Sequence, residues 1–595
     1  MGGTLSSNFE QINNDFIIEC WKVSSATDKN TKQKVSLWQL DQQLLQEKYP
    51  SEAEKDEYIN RYIKSIQNVK KLRHPNVLKI IQVQDNKQNF EFITEPVAFC
   101  LKSNVSKLDK TDASYIMLQL LEALYFIHDI AKSVHLNVNC DTILLNDQMT
   151  VKLFGFNWFT NLSDTQTVPA FEKYETTPNF PNIKYSAPEL VSKKELTTKA
   201  DIFSAGVVFY ELLTGKQIIE CEKPEDYNTE VSPISKVTGM TSDVYSLLQK
   251  MMNIKPELRP PAKDLLRDEM FKTQQIESLR FMDTIIVETP QDRFNFYKKL
   301  GKQIDKYSTF VKKSKIIPLL VNECKENIKF SPILLGIIFD ASKNLTIDEF
   351  TDDVFIHLTH LLKVQKPPEI LFAFIHKIEF LLANVNEANR QAHVYPILSS
   401  ALKSDKEMHI KEVLKKIPII IKDLNEPCIQ KILLPNLVRL CEKSDNIEYI
   451  SKSLQCIKAC AQRVDQDQFL KYIIPRLYEV WENNQEPYLI PFYTELLLSL
   501  KGSEQSEVAY AVPLAAEIIS FIHCDPYYQK QLTSWMLATI TKFKTTNKLD
   551  EVQEPMKQKE QININDITAL FDPLAEELKI SPSQEIFDFT KVETK

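Results

Sequence analysis

At 595 residues the chain is too long for a single compact core at about 100–200 residues per domain, so two or more units are expected, one of them a candidate repeat array. It is 43% hydrophobic and 26% charged with a formal charge of −8, ordinary globular values without a global basic field, so nucleic acid is not expected as a partner. The ten cysteines form no CxxC pair, no apolar run nears the ~18 residues that span a bilayer, and the first residues lack the apolar core of a signal peptide; a reduced, cytoplasmic protein is expected.

Taken in chain order, residues 1–14 read as a flexible N-terminus. Met1-Gly2-Gly3-Thr4-Leu5-Ser6 fits the pattern for myristoylation at Gly2. Residues 15–275 read as mixed α/β, with strand-like pieces at 16–18, 34–40 and 90–94, a charged helical stretch at 51–72, and longer helices at 111–129 and 198–213. Glycine is scarce, 9 residues in all, and none lies between Gly3 and Gly155, so no glycine-rich loop can wrap a phosphate in that stretch. After a linker at 276–290, residues 291–545 show helical periodicity with prolines at Pro318, Pro396, Pro435, Pro475 and Pro513. Their spacings are 78, 39, 40 and 38, with a unit lacking the proline near 354–358, which predicts a HEAT-type α-solenoid. His357 and His360 stand one turn apart without a third ligand, so no metal site is expected there. Residues 546–595 are polar and read as a partly disordered tail.

Six strings in the first part follow the order of the protein-kinase subdomains: Lys71-Leu-Arg-His-Pro-Asn-Val, His135-Leu-Asn-Val-Asn-Cys-Asp-Thr-Ile-Leu-Leu, Val151-Lys-Leu-Phe-Gly-Phe-Asn, Ser186-Ala-Pro-Glu, Asp201-Ile-Phe-Ser-Ala-Gly and Leu258-Arg-Pro. The expected architecture is therefore multidomain, α+β then all-α: a bilobal protein-kinase-like fold followed by a HEAT-type solenoid. Resemblance to kinases lets each chemical position be compared. Val35-Ser36-Leu37-Trp38 puts an indole where the phosphate-binding lysine belongs, and counting back from Pro75 puts Ser65 at its partner glutamate. His135-Leu136-Asn137 replaces the acceptor carboxylate by an amide of no useful basicity. Asn139 and Thr142 stand at the following lysine and metal-binding asparagine, and Gly155 stands at the metal-binding aspartate. No catalytic residue, metal ligand or cofactor is assigned. What the resemblance retains is structural: His135 and Phe156 in the column joining the lobes, Glu189 and Arg259 as a buried ion pair, and Asp201 bracing the catalytic loop.

A degenerate kinase domain followed by HEAT repeats resembles the Scy-like pseudokinase family, and the wording is most similar to its coated-vesicle-associated kinase branch. Ala26-Thr-Asp-Lys-Asn-Thr-Lys-Gln-Lys-Val, Phe92-Ile-Thr-Glu-Pro-Val, Gly155-Phe156, Met252-Asn-Ile-Lys-Pro-Glu-Leu-Arg-Pro and Phe281-Met-Asp-Thr carry the likeness. It implies a scaffold or adaptor in clathrin-dependent traffic between trans-Golgi network, endosomes and plasma membrane. The implied partners are clathrin coat or adaptor proteins and vesicle cargo, bound through the solenoid and tail, with peripheral attachment to the membrane surface. The chain ends Phe589-Thr-Lys-Val-Glu-Thr-Lys without the paired basic residues of the Golgi-retrieval branch. One myristoyl chain binds a membrane only marginally, and the basic stretch 298–315 is a candidate second attachment or a solvated helix face. Leu570-Phe571-Asp572-Pro573-Leu574 resembles the short acidic-hydrophobic peptides that clathrin and its adaptors accept; the alternative is an amphipathic helix end packing on the last repeats. Two other readings stay open: an unconventional active Ser/Thr kinase that binds ATP through other carboxylates, and a HEAT scaffold for another pathway.

Overall fold

The computed structural model describes residues 5–84, 90–163, 181–193, 195–227, 233–236, 240–502 and 504–545. Gly2 and Leu570 to Leu574 lie outside the described residues. The chain divides into two compact units, Met1–Glu323 with Asp340–Asn344, and Cys324–Phe339 with Leu345–Lys595.

The first unit opens with an antiparallel five-stranded sheet of order β1-β2-β3-β5-β4, comprising β1 (Phe9–Ile18), β2 (Trp21–Asp28), β3 (Lys34–Leu40), β4 (Ile80–Gln84) and β5 (Glu91–Thr94). A short α1 (Gln42–Lys48) and then α2 (Glu52–Val69) lie between β3 and β4. Ser51 and Glu54 close a capping box at the start of α2, and Tyr58, Ile59, Tyr62, Ser65, Ile66 and Val69 recur at helical spacing to form its buried face. The helical lobe follows, with α3 (Lys110–Tyr125), α4 (Pro188–Lys193) and α5 (Thr198–Thr214); α5 is capped by Thr197 and stopped by Gly215 in the left-handed region.

The break between the units comes later in the chain than the 276–290 linker. Helices Gln274–Thr284 and Pro290–Gly301 belong to the first unit, where Asp283 accepts hydrogen bonds from Tyr115 (2.6 Å) and from Lys315 (2.5 Å). Lys312 and Lys315 are buried, and the Lys315 ammonium lies 5.3 Å from the Tyr115 ring centroid. The stretch 298–315 is thus not a uniformly solvated basic face: Lys315 is tied to Asp283, and both buried lysines are unavailable to a membrane.

In the repeat region, helical segments come in pairs around a recurring irregularity. Five single π-turns, Lys312–Ile316, Thr351–Phe355, Arg390–Val394, Ile429–Leu433 and Glu507–Ala511, begin at residues separated by 39 or by twice 39. The residue after each donates its N–H five residues back, as Tyr395 does to Arg390 and Leu434 to Ile429. In four of them the next residue is Pro318, Pro396, Pro435 or Pro513: the proline lacks an N–H, its ring would collide with the carbonyl four residues back, and the widened turn relieves both. The Thr351–Phe355 turn forms without proline, and His357 occupies the proline's place. Pro475 is one residue out of this register, and there the chain breaks between Gln466–Tyr472 and Ile474–Asn483 instead. Within the second unit the longer helices Glu369–His376, Glu407–Ile420, Ile447–Ala461, Ile490–Leu498 and Pro526–Thr545 stack in succession, the layering of an α-solenoid.

Candidate functional site

The positions that would carry kinase chemistry are packed shut. Trp38, midway along β3, is fully buried, stacks on Phe92 of β5 (centroids 5.0 Å apart, planes at 18°) and touches Phe154 at 4.9 Å. Its indole N–H donates to Thr94 Oγ1 at 3.0 Å, so the one polar atom of the ring is satisfied in the core. Trp21, Tyr62 and Phe90 extend the cluster, Trp21 lying 5.0, 5.4 and 5.1 Å from Tyr62, Phe90 and Phe92. Ser65 on α2 is fully buried beneath the sheet. A kinase couples β3 to this helix by a lysine–glutamate pair; here an aromatic core couples them.

The β1–β2 hairpin closes over the same region. Its two-residue turn is Glu19-Cys20, with Glu19 at φ 54° and Cys20 fully buried. The Glu19 carboxylate accepts hydrogen bonds from Tyr58 (3.1 Å) and Tyr62 (2.5 Å), tying the hairpin tip to α2. On the same helix the Arg61 guanidinium lies 3.7 Å from the centroid of the Trp158 ring, just beyond Gly155-Phe156-Asn157. The sequence reading missed Glu19, Tyr58, Tyr62, Arg61, Phe154 and Trp158. The tyrosines four apart on a helix face were the available signal, but their acceptor lies across the sheet.

The degenerate loop residues satisfy one another. Asn137 Nδ2 donates to the Gly155 carbonyl (3.2 Å), and Asn139 Nδ2 donates to Asn137 Oδ1 (2.9 Å). Asn139 Oδ1 accepts the backbone N–H groups of Asp141 and Thr142, and the Thr142 hydroxyl donates to the Asn137 carbonyl (2.8 Å). Gly155 sits at φ +80°, and a Cβ there would collide with the Thr142 methyl. The space for a metal-binding side chain is therefore taken by threonine. Among the described residues no group of three or more His, Cys, Asp or Glu side chains could hold a metal ion.

The structural positions are wired together. Asp201 is fully buried and accepts from the His135 and Leu136 N–H groups, each at 2.8 Å, and from His128 Nε2 at 2.9 Å. Burial pushes the Asp201 carboxyl up, but the His128 hydrogen bond and the neighbouring histidines outweigh it, leaving the group below the usual carboxylate range. His135 packs edge-on against Phe156 with centroids 4.5 Å apart. Its Nδ1 accepts the Asn137 N–H, so Nε2 carries the proton that it donates to the Phe154 carbonyl at 3.0 Å. Burial pushes this imidazole down to about 4. Arg259, fully buried, grips both oxygens of Glu189 at 2.6 and 2.8 Å and also donates to the Asn253 and Lys199 carbonyls.

The two histidines of the repeat region, His357 and His360, meet through a backbone contact alone, with His360 Nδ1 2.9 Å from the His357 carbonyl oxygen. All ten cysteines are buried and none is in a disulfide.

Fold and site define a protein-kinase domain followed by a largely helical repeat region, and residues 21–271 match the protein kinase domain family. SCY1-like protein 2 of Homo sapiens is 26% identical over 494 residues, covering 77% of this chain and 53% of the relative. The probable inactive serine/threonine-protein kinase scy1 of Dictyostelium discoideum is 22% identical over 66% of this chain and 46% of its own length. The chain spans about half the length of these curated relatives. The crystal structure of Cex1p matches with a TM-score of 0.60 at 12% identity, over 93% of this chain and 100% of that one, a likeness of fold. Beyond the kinase domain, the chain is thus similar to Scy-like proteins with a kinase-like domain over about two thirds to three quarters of its length.

Proposed function

We propose that this chain is a catalytically inactive kinase-like scaffold or adaptor in clathrin-dependent vesicle traffic. The observation that carries the inactive reading is the filled cleft: Trp38 is built into the aromatic core, and the Thr142 methyl occupies the room a side chain at position 155 needs. Two carboxylates near these positions are committed elsewhere, Glu19 to two tyrosines and Asp201 to the loop backbone. Likeness to Scy-like proteins and a helical repeat array, an architecture that offers a long binding surface, support the scaffold reading. On this reading the clathrin coat, its adaptors or vesicle cargo bind the repeats and Leu570-Phe571-Asp572-Pro573-Leu574, and a myristoylated Gly2 gives the chain a weak, peripheral hold on vesicle, endosome or Golgi membranes.

The test pairs a phosphotransfer assay with radiolabelled ATP and affinity purification from cells, alongside imaging of wild type, Gly2→Ala and a chain ending at Asn344. The expected results are no incorporation of label, recovery of clathrin-coat proteins, partial loss of vesicle localisation for Gly2→Ala and loss of coat recovery for the shortened chain. Incorporation of label abolished by Asp201→Asn would overturn the inactive reading. Coat recovery undiminished in the shortened chain would move partner binding off the repeats.

A further inference from the structure

Among the described residues, the array ends on a helix that no later helix covers. Pro526–Thr545 buries Leu532, Thr539 and Phe543, but Leu537 is 57% exposed, while Tyr527 at its start and Ile522 just before it are 63% and 87% exposed. Trp535, Met536 and Ile540 are partly exposed as well. The earlier helices of this layer are each covered by the next, Glu407–Ile420 by Ile447–Ala461 and that by Ile490–Leu498, whereas among the described residues nothing follows Thr545. Terminal repeats usually present a polar outer face. This one also carries charge of one sign, since Pro526–Thr545 contains lysines at 530, 542 and 544 and no carboxylate.

The chain itself supplies a complement. Residues 566–578 place Ile567, Leu570, Phe571, Leu574 and Leu578 at intervals of three and four, with Asp566, Asp572, Glu576 and Glu577 between them and no basic residue. Twenty residues separate Thr545 from Asp566. At ~3.3–3.6 Å per extended residue they reach about 65 Å, against a length of about 30 Å for a twenty-residue helix. We propose that residues 566–578 dock on the exposed face of Pro526–Thr545, apolar side chains against Leu537 and its neighbours and carboxylates toward Lys530, covering the last described helix of the array. The docking does not depend on the function proposed above. If that function holds, docking covers Leu570 to Leu574, so binding of a coat protein to this peptide and docking on the helix exclude one another.

Hydrogen–deuterium exchange on the full chain tests this, with Leu570→Asp/Phe571→Asp as the disrupting variant, which alters residues outside the repeats and leaves the array to fold. Lys530→Glu probes the charged half, and adding Glu576→Lys to it restores opposite charges. The expected result is exchange of the 526–545 amides roughly tenfold faster in the apolar double variant, faster exchange in Lys530→Glu, and recovery in the charge-swapped pair. Identical exchange in wild type and the double variant overturns the proposal. Protection that disappears on dilution of wild type assigns the contact to a second copy and overturns docking within one chain.

Discussion

At the residue scale, Trp38, Asn137, Asn139 and Thr142, which stand at the kinase-like positions, are each hydrogen-bonded into their surroundings. Asn137 donates to a carbonyl, which an aspartate could not do, and Thr142 fills the room beside Gly155. Gly155→Asp should therefore cost about 1–3 kcal/mol through its left-handed backbone and the Thr142 clash. Denaturant melts should show part of that loss recovered when Thr142→Ser, which removes the methyl and keeps the hydroxyl, is added. Removing one side of the Glu189–Arg259 pair leaves a buried charge, so Glu189→Ala is expected to lower stability by about 3–5 kcal/mol in the same assay. His135 titrates near 6.5 unfolded and is pushed down to about 4 when folded, so between those values the unfolded chain binds the extra proton. Stability present above pH 6.5 is then lost as pH falls toward 4, by about 3 kcal/mol in all; the depressed Asp201 adds loss in the same direction. Thermal melts from pH 7 to 4.5 should show this slope in wild type and a shallower one in His135→Leu.

Elements show where local sequence stops being informative. The kinase strings lie in short runs, so the helical lobe and the two ends of its buried ion pair could be read along the chain. The aromatic core could not, because Trp38, Phe92, Tyr62 and Phe154 come from two strands, a helix and the chain just before Gly155, brought together only by the fold. In the repeats the prolines revealed the period, but the π-turns that accommodate them leave no sequence mark, and His357 hid one register position. Because the turn before His357 is already widened, His357→Pro should cost less than ~1 kcal/mol, whereas Gln455→Pro inside Ile447–Ala461 should cost about 3 kcal/mol or more. Chemical denaturation of the two variants side by side separates these expectations.

For the whole molecule, the central proposal is a kinase-like domain kept as a packed body, with Trp38 built into its core where a kinase binds nucleotide. The lobe-joining histidine, the loop-bracing aspartate and the Glu189–Arg259 clamp persist because they hold the fold. On the inactive reading proposed above, Trp38, Asn137 and Gly155 supply no group to grip a triphosphate or its metal. Any ligand that binds the native state raises its melting temperature. Thermal denaturation of the full chain with millimolar ATP, with and without Mg²⁺, therefore tests the central claim most directly. An unchanged melting temperature is the expected result; a magnesium-dependent rise of several degrees (~) would contradict it.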